Sequence, residues 1–152
     1  MKLSTRSRYG VRLMIALAVA GGDKSVFLKD IAASEDISEK YLSLIVIPLR
    51  AAGLLRSIRG ARGGYALARG PKDISLRDIV EAVEGETCLV TCVKNPDVCK
   101  RVSVCTARDT WTQLSNTIKK AMASVTLAQL VIGQKGKKGT TKPKARPIKK
   151  GK

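Results

Sequence analysis

Histidine is absent from the 152-residue chain, which removes the side chain best suited to proton transfer at neutral pH and the usual nitrogen ligand of a transition metal. Acids are scarce too: 12 Asp and Glu stand against 29 Lys and Arg, a formal net charge of +17, and the few acids are scattered rather than paired. No run of eighteen apolar residues offers a membrane span. The opening MKLSTRSRYG lacks the charged stub, apolar core and cleavage site of a secretory leader. The glycine-rich stretch at 60–64 lacks the Lys-Ser/Thr ending and the following helix of a phosphate-binding loop. Cysteine is missing everywhere except between Cys88 and Cys105. The expectation is a cytoplasmic protein that is not an enzyme, has no small-molecule substrate and does not enter membranes.

What is present points to a polyanionic partner. Residues 133–152 hold eight Lys, one Arg and no acid, so setting those nine aside leaves +8 on the remainder. A basic tail alone would give loose attraction to any nucleic acid. A body of +8 carrying a motif is more specific. The tail is rich in Gly, Lys, Thr and Pro without apolar period, and disorder is expected there.

Periodicity then sets out the body. Tyr9, Leu13, Leu17 and Val11, Met14, Ala18 fall at helical steps over 4–20, with Ser4 or Thr5 as N-cap and Gly21-Gly22 as the end. Phe27, Leu28, Ile31 and Ala32 make a short second helix. A third follows from the N-cap Ser38, with Tyr41, Leu42, Ile45 and Leu49 on its apolar face and Gly53 as left-handed terminator. Pro48 inside it predicts a bend near 44–48. Leu54 to Ile58 and Tyr65 to Ala68 flank a glycine-rich turn and form a β-hairpin. Ser75 with Asp78 is a capping box opening a fourth helix. Beyond the cysteines, Trp111, Leu114, Ile118, Met122 and Val125 make a long amphipathic helix, whose stripe is expected to pack on a twin.

Three helices followed by a hairpin is the order of a winged helix-turn-helix, so the fold class is mainly α (α+β) with a long C-terminal dimerisation helix. The expected organisation is 1–83 DNA-binding, 84–105 cysteine loop, 106–132 dimerisation helix and 133–152 basic tail. Ser38, Lys40 and Ser43 occupy the reading end of the third helix, with Tyr41 and Arg50 on the same element. Arg59, Gly60 and Arg62 lie on the hairpin turn, where a guanidinium can enter a narrow minor groove.

The cysteines are spaced Cys88-x3-Cys92-x6-Cys99-x5-Cys105. Thiolates suit zinc and iron-sulfur clusters alike. The absence of a C-x2-C pair tilts the reading to a cluster, with zinc or redox-exchanging thiols as alternatives. Cys92, Cys99 and Cys105 are the preferred ligands, and Cys88, Glu86 and Asp109 are candidates for a fourth.

Several runs together carry a family resemblance: Met1-Lys2-Leu3-Ser4, Arg8-Tyr9-Gly10-Val11, Ile37-Ser38 with Tyr41-Leu42, Leu49 through Leu54, Arg59 through Tyr65, the three later cysteines, and Trp111. Over about residues 1–131 the chain resembles the IscR and NsrR type of winged-helix regulators. The resemblance implies a homodimer that crosses long C-terminal helices, binds double-stranded promoter DNA, and switches through an iron-sulfur cluster, 2Fe-2S in preference to 4Fe-4S. It carries Cys92, Cys99 and Cys105 onto the family's ligand positions and Arg59 onto the wing arginine. The chain departs at Arg108, where IscR has a histidine ligand, and at Arg8, where NsrR has an aspartate ligand. It also departs at Ser43 and Leu44, where IscR has Glu and Gln. The fourth ligand and the promoter sequence are therefore left open.

Overall fold

The computed structural model describes residues 3–60 and 63–137, with side chains through residue 134. Arg62 and residues 138–152 lie outside the described residues. The element order is α1 (Thr5–Val19), α2 (Leu28–Glu35), α3 (Glu39–Ala51), β1 (Leu55–Ile58), β2 (Gly64–Leu67), α4 (Leu76–Glu84), α5 (Thr91–Lys94), α6 (Thr106–Ala123) and α7 (Leu127–Lys137). This is a winged helix-turn-helix followed by a long helix.

Each early helix stops where the sequence supplies a residue tolerant of a left-handed backbone. Gly21 and Gly53 take positive φ. After α3, Gly53 N donates to Arg50 O at 3.0 Å and Leu54 N to Leu49 O at 3.0 Å, a Schellman closure whose two apolar residues, Leu49 and Leu54, are both buried. Ser4 caps α1 through Arg6 N, and both bonds of the Ser75–Asp78 capping box are formed. Ser38 differs from expectation: it occupies the N-cap position of α3 but its side chain makes no capping bond. Its hydroxyl is left on the surface.

α3 is helical throughout despite Pro48. The carbonyl that loses its partner belongs to Leu44, which is 54 % exposed, so solvent can satisfy it. The core gathers Leu13, Met14 and Leu17 of α1, Leu42, Ile45, Val46 and Leu49 of α3, Ile79 and Val83 of α4, and Leu54, Leu55 and Leu67 around the hairpin. α1 runs beneath both α3 and α4, and Gly10 sits at the crossing, its α-carbon facing Ile45 and Val83.

The wing is anchored at its base. β1 and β2 pair antiparallel with Leu55 opposite Leu67 and Ile58 opposite Gly64. Val26 joins them through reciprocal bonds with Tyr65, both 2.9 Å. Gly64 cannot be replaced there: its φ is +137°, and a Cβ would stand 2.4 Å from Val26 O.

The C-terminal stripe is divided. The sequence predicts one helix over 106–132, but α6 ends at Ala123 and α7 begins at Leu127. Between them the chain returns to the body. Val125 O accepts from Leu76 N and Leu127 N donates to Ile74 O, each at 2.8 Å. This bridge buries Leu127 completely in the core. Thr126 N donates to Gln129 Oε1 at 2.8 Å and Gln129 N to Thr126 Oγ1 at 3.3 Å, so Thr-x-x-Gln is a capping box that restarts the helix. Burying Leu127 and capping α7 outweigh the continuity of an amphipathic helix. The first residues assigned to the tail, 133–137, are the end of α7.

Candidate nucleic-acid interface and cysteine loop

α3 presents two sharply different faces. Leu42, Ile45, Val46 and Leu49 point into the core, while Lys40, Ser43, Leu44, Ile47, Arg50 and Ala51 are exposed. Exposed Lys40, Leu44, Ile47 and Ala51 recur at steps of four, three and four, the spacing of one helical stripe opposite the core. Ser38 is exposed at the entry to the helix. The Ser43 hydroxyl donates to Lys40 O at 2.8 Å and keeps its lone pairs for another donor.

Tyr41 differs from its neighbours in the predicted reading set. It is half-buried and meets Tyr9 edge to face, ring centroids 5.7 Å apart, so much of its surface serves the α1–α3 packing. Arg59 and Gly60 are exposed at the wing tip, with Gly60 at φ +108°. Gly63 N donates to Gly60 O at 2.9 Å and closes the turn. Arg62 lies outside the described residues. Sequence reasoning placed the polar residues of this face and marked Leu44 only as a departure from IscR; it missed Ile47 and the joint exposure of the two, 54 % and 59 %. The available signal was that both fall half a turn from the apolar set Leu42, Ile45 and Leu49.

The cysteine loop is built of short turns: α5, then 3-10 turns at Pro96–Val98 and Val102–Val104. Proline at the start of one turn and the Asn95 side chain accepting from Asp97 N set their geometry. Three contacts hold the beginning of the loop to α6. Lys119 Nζ meets Glu86 Oε1 at 2.6 Å, Leu89 N donates to the buried Ser115 hydroxyl at 3.2 Å, and Arg108 Nε donates to Cys92 O at 3.1 Å. The hydrogen bond from Lys119, reinforced by its charge, lowers the Glu86 pKa below the usual carboxylate value.

Cys88, Cys92, Cys99 and Cys105 are all free and half-buried. Cys92 lies within α5, Cys99 follows the first 3-10 turn, and Cys105 is the N-cap of α6. Among the described residues no three His, Cys, Asp or Glu side chains come together as a metal-holding group. Four free thiols are donors of the kind a thiophilic metal or cluster takes, but among the described residues the sulfurs do not converge on one centre. Of the candidates for a fourth ligand, Glu86 is engaged by Lys119. Cys88 lines a hollow with Leu3, Val80 and Glu84 that includes none of the other cysteines. Asp109 is exposed in the first turn of α6. Neither departing arginine is idle: Arg108 holds Cys92, and Arg8 Nη2 donates to Thr5 Oγ1 at 3.4 Å.

Beneath this loop the outer face of α6 carries Trp111 and Leu114, both more than 40 % exposed. No helix among the described residues is long and apolar enough to cross a membrane.

Comparison with known proteins gives a consistent outcome. The family described as "Rrf2: Iron-dependent Transcriptional regulator" matches residues 3–133. The chain is 40 % identical over 131 residues to Protein rrf2 of Nitratidesulfovibrio vulgaris, covering 86 % of this chain and 87 % of that one. It is similar to the solved structure of CymR, the global cysteine regulator of B. subtilis, with a TM-score of 0.73, 37 % identity, and coverage of 88 % and 98 %. The structure of T. potens IscR superposes with a TM-score of 0.71 at 33 % identity, covering 95 % of this chain and 94 % of that one. These relatives are regulators of transcription and not enzymes.

Proposed function

Because the chain belongs to the Rrf2 family of DNA-binding transcriptional regulators, we propose that it is a homodimeric promoter-binding regulator whose cysteine loop senses through an iron-sulfur cluster. The observation that carries the DNA-binding half is the pairing of an exposed α3 face with a wing fixed at its base by Val26 and Tyr65. Ser38, Lys40, Ser43 and Arg50 meet base edges and phosphates of a major groove, with Tyr41 contributing its exposed part. Arg59, and Arg62 beside it, reach the adjoining minor groove, where Gly60 lets the turn lie close to the backbone.

The apolar face of α6 supports the dimer, since Trp111 and Leu114 remain 41 % and 44 % exposed in the described chain. A two-fold dimer would set two α3 helices on successive turns of a pseudo-palindromic site.

Cys92, Cys99 and Cys105 would hold the cluster, which supplies a reversible redox or assembly state. A 2Fe-2S cluster is favoured over 4Fe-4S, and Cys88, which lines a hollow apart from the other cysteines, is one candidate for the open fourth position. The chain's own part is to keep the thiols half-buried, to fix Cys92 through Arg108, and to join the loop to α6 at Ser115 and Lys119. A change in the loop then acts directly on the helix that sets the spacing of the two DNA readers. A second reading has its own observation: four free thiols that do not gather three at a time among the described residues suit a thiol-switched regulator without a cluster, whereas a zinc-holding one needs the same convergence of donors as the cluster. A cytoplasmic setting, where thiols stay reduced, suits both.

Anaerobic purification with iron and acid-labile sulfide analysis separates these readings. The cluster reading expects sulfide in the protein after reconstitution and promoter affinity that changes when the cluster is removed. Zinc without sulfide, or affinity indifferent to iron chelation, overturns it. Binding to promoter DNA with no preference over random duplex overturns the regulator reading itself.

A further inference from the structure

We infer that Leu44 and Ile47 read the 5-methyl groups of thymines in the major groove, so that sequence recognition by α3 is in part apolar. The inference deepens the DNA-binding reading above and rests on it.

Leu44 and Ile47 are 54 % and 59 % exposed, and they sit in the middle of the α3 stripe that runs Lys40, Leu44, Ile47, Ala51. They lie directly opposite Leu42, Ile45 and Leu49, which are fully buried. A helix lying in a groove with its core face away presents this stripe to the base edges. The polar residues flank it: Ser43 lies beside Leu44, and Lys40 and Arg50 stand near the two ends of the exposed face. Arg6 and Tyr41 border the same hollow as Leu44, Ile47 and Pro48. Cations around a small apolar centre match phosphates around base edges.

Chemistry then selects the occupant. Leucine and isoleucine neither donate nor accept hydrogen bonds, so they cannot separate bases by their polar edges. Thymine is the standard base that offers an apolar group to the major groove. Cytosine at the same position would give up the water on its amino group with no replacement partner, a penalty that adds to the absence of the methyl. Two side chains also make a patch far smaller than the roughly 800 Å² a stable protein interface buries on each partner. The patch suits one or two methyl groups. Glycine or serine would satisfy a role limited to phosphate contacts, whereas exposed Leu and Ile in water gain nothing from solvent.

The test uses the full-length protein and duplexes selected from a random pool. Selected half-sites are expected to hold thymine at one or two adjacent positions facing the middle of α3. Replacing those thymines with deoxyuridine removes the methyl and nothing else. Affinity should fall roughly fourfold for each methyl, as for the removal of one buried methyl-sized group. In the double variant Leu44→Ala/Ile47→Ala the thymine-to-uracil affinity ratio should fall toward one, and each single variant should lose only the part due to its own contact; both residues are exposed, so their fold should hold. Equal affinity of the unaltered protein for both duplexes, with its sequence preference intact, overturns the methyl-reading assignment and leaves the DNA-binding reading standing. A ratio unchanged in Leu44→Ala and Ile47→Ala also overturns it, as does an altered sedimentation state without an altered ratio, which would make the patch a protein contact. Loss of all sequence preference in the unaltered protein overturns both readings together.

Discussion

Arg108 Nε donates to the main-chain carbonyl of Cys92 across 3.1 Å. This bond ties the first turn of α6 to α5, sixteen residues earlier, and gives a role to an arginine that stands where a ligand was expected. Arginine cannot bind a metal in place of histidine, but its guanidinium can fix the backbone at Cys92, one of the thiols proposed as ligands.

Replacing Arg108 with alanine should therefore loosen α5 without disturbing the DNA-reading unit. A hydrogen bond from a charged donor at a half-buried site contributes about 1 kcal/mol, so the open population near Cys92 should rise roughly fivefold. Maleimide labelling followed by mass spectrometry reads this, with Cys92 gaining more than Cys105. Equal gains at both cysteines, or none, would contradict the positioning role.

Glu84 predicts an acid-dependent contribution to stability. Its carboxylate accepts from the Ser4 hydroxyl, from Ser4 N at 3.1 Å and from the Ser7 hydroxyl at 2.6 Å. The hydroxyl bonds from Ser4 and then Ser7 lower its pKa in the folded state. A group depressed on folding stabilises above its unfolded pKa and loses that contribution as pH falls through the folded value. Urea midpoints of the parent and Glu84→Gln should thus differ at pH 7 and converge below the ordinary carboxylate range. A constant difference across pH would exclude the titration.

Two glycines should respond oppositely to alanine. At Gly10 a Cβ would meet Ile45 and Val83 at 3.6 Å, ordinary contact, so the gain in helix propensity dominates. Gly10→Ala should stabilise by about 1 kcal/mol, roughly 3 °C in Tm. At Gly64 a Cβ would collide with Val26 O in a backbone already at φ +137°. Gly64→Ala should cost at least about 2 kcal/mol and weaken DNA binding by displacing the wing. Thermal unfolding and fluorescence anisotropy measure the two effects.

Arg59→Ala should lower promoter affinity about tenfold and relax preference at the minor-groove positions. The variant should unfold with the parent, because the side chain is exposed. Unchanged affinity on promoter DNA would remove Arg59 from the interface.

The basic end should contribute electrostatics without sequence information. Residues 138–152 hold six Lys and one Arg, and removing them should reduce the salt dependence of binding by about 0.9 in slope for each phosphate no longer neutralised. Sequence preference should remain. Truncation at 133 should behave differently and lower the thermal midpoint, because residues 133–137 complete α7. Loss of all binding on removing 138–152 would assign recognition to the tail.

The sequence by itself determined the elements that local chemistry governs. Gly21 and Gly53 ended helices because only a residue tolerant of positive φ can close them, and the Ser75–Asp78 box opened α4 because both partners lie within one turn. The helix-helix-helix-hairpin order followed from these signals, as did the exposed polar residues at the start of α3. Tertiary structure decided what depends on distant partners. The stripe from Trp111 to Val125 reads as one helix, yet Ile74 and Leu76 pair with the chain beside Thr126 and draw Leu127 into the core. Four closely spaced cysteines suggest a common centre, but the turns between them and the hold of Arg108 on Cys92 set where each thiol stands. Leu44 and Ile47 look like ordinary apolar residues until the core is seen to lie on the other side of α3. Periodicity identifies a face; packing decides which face is left exposed.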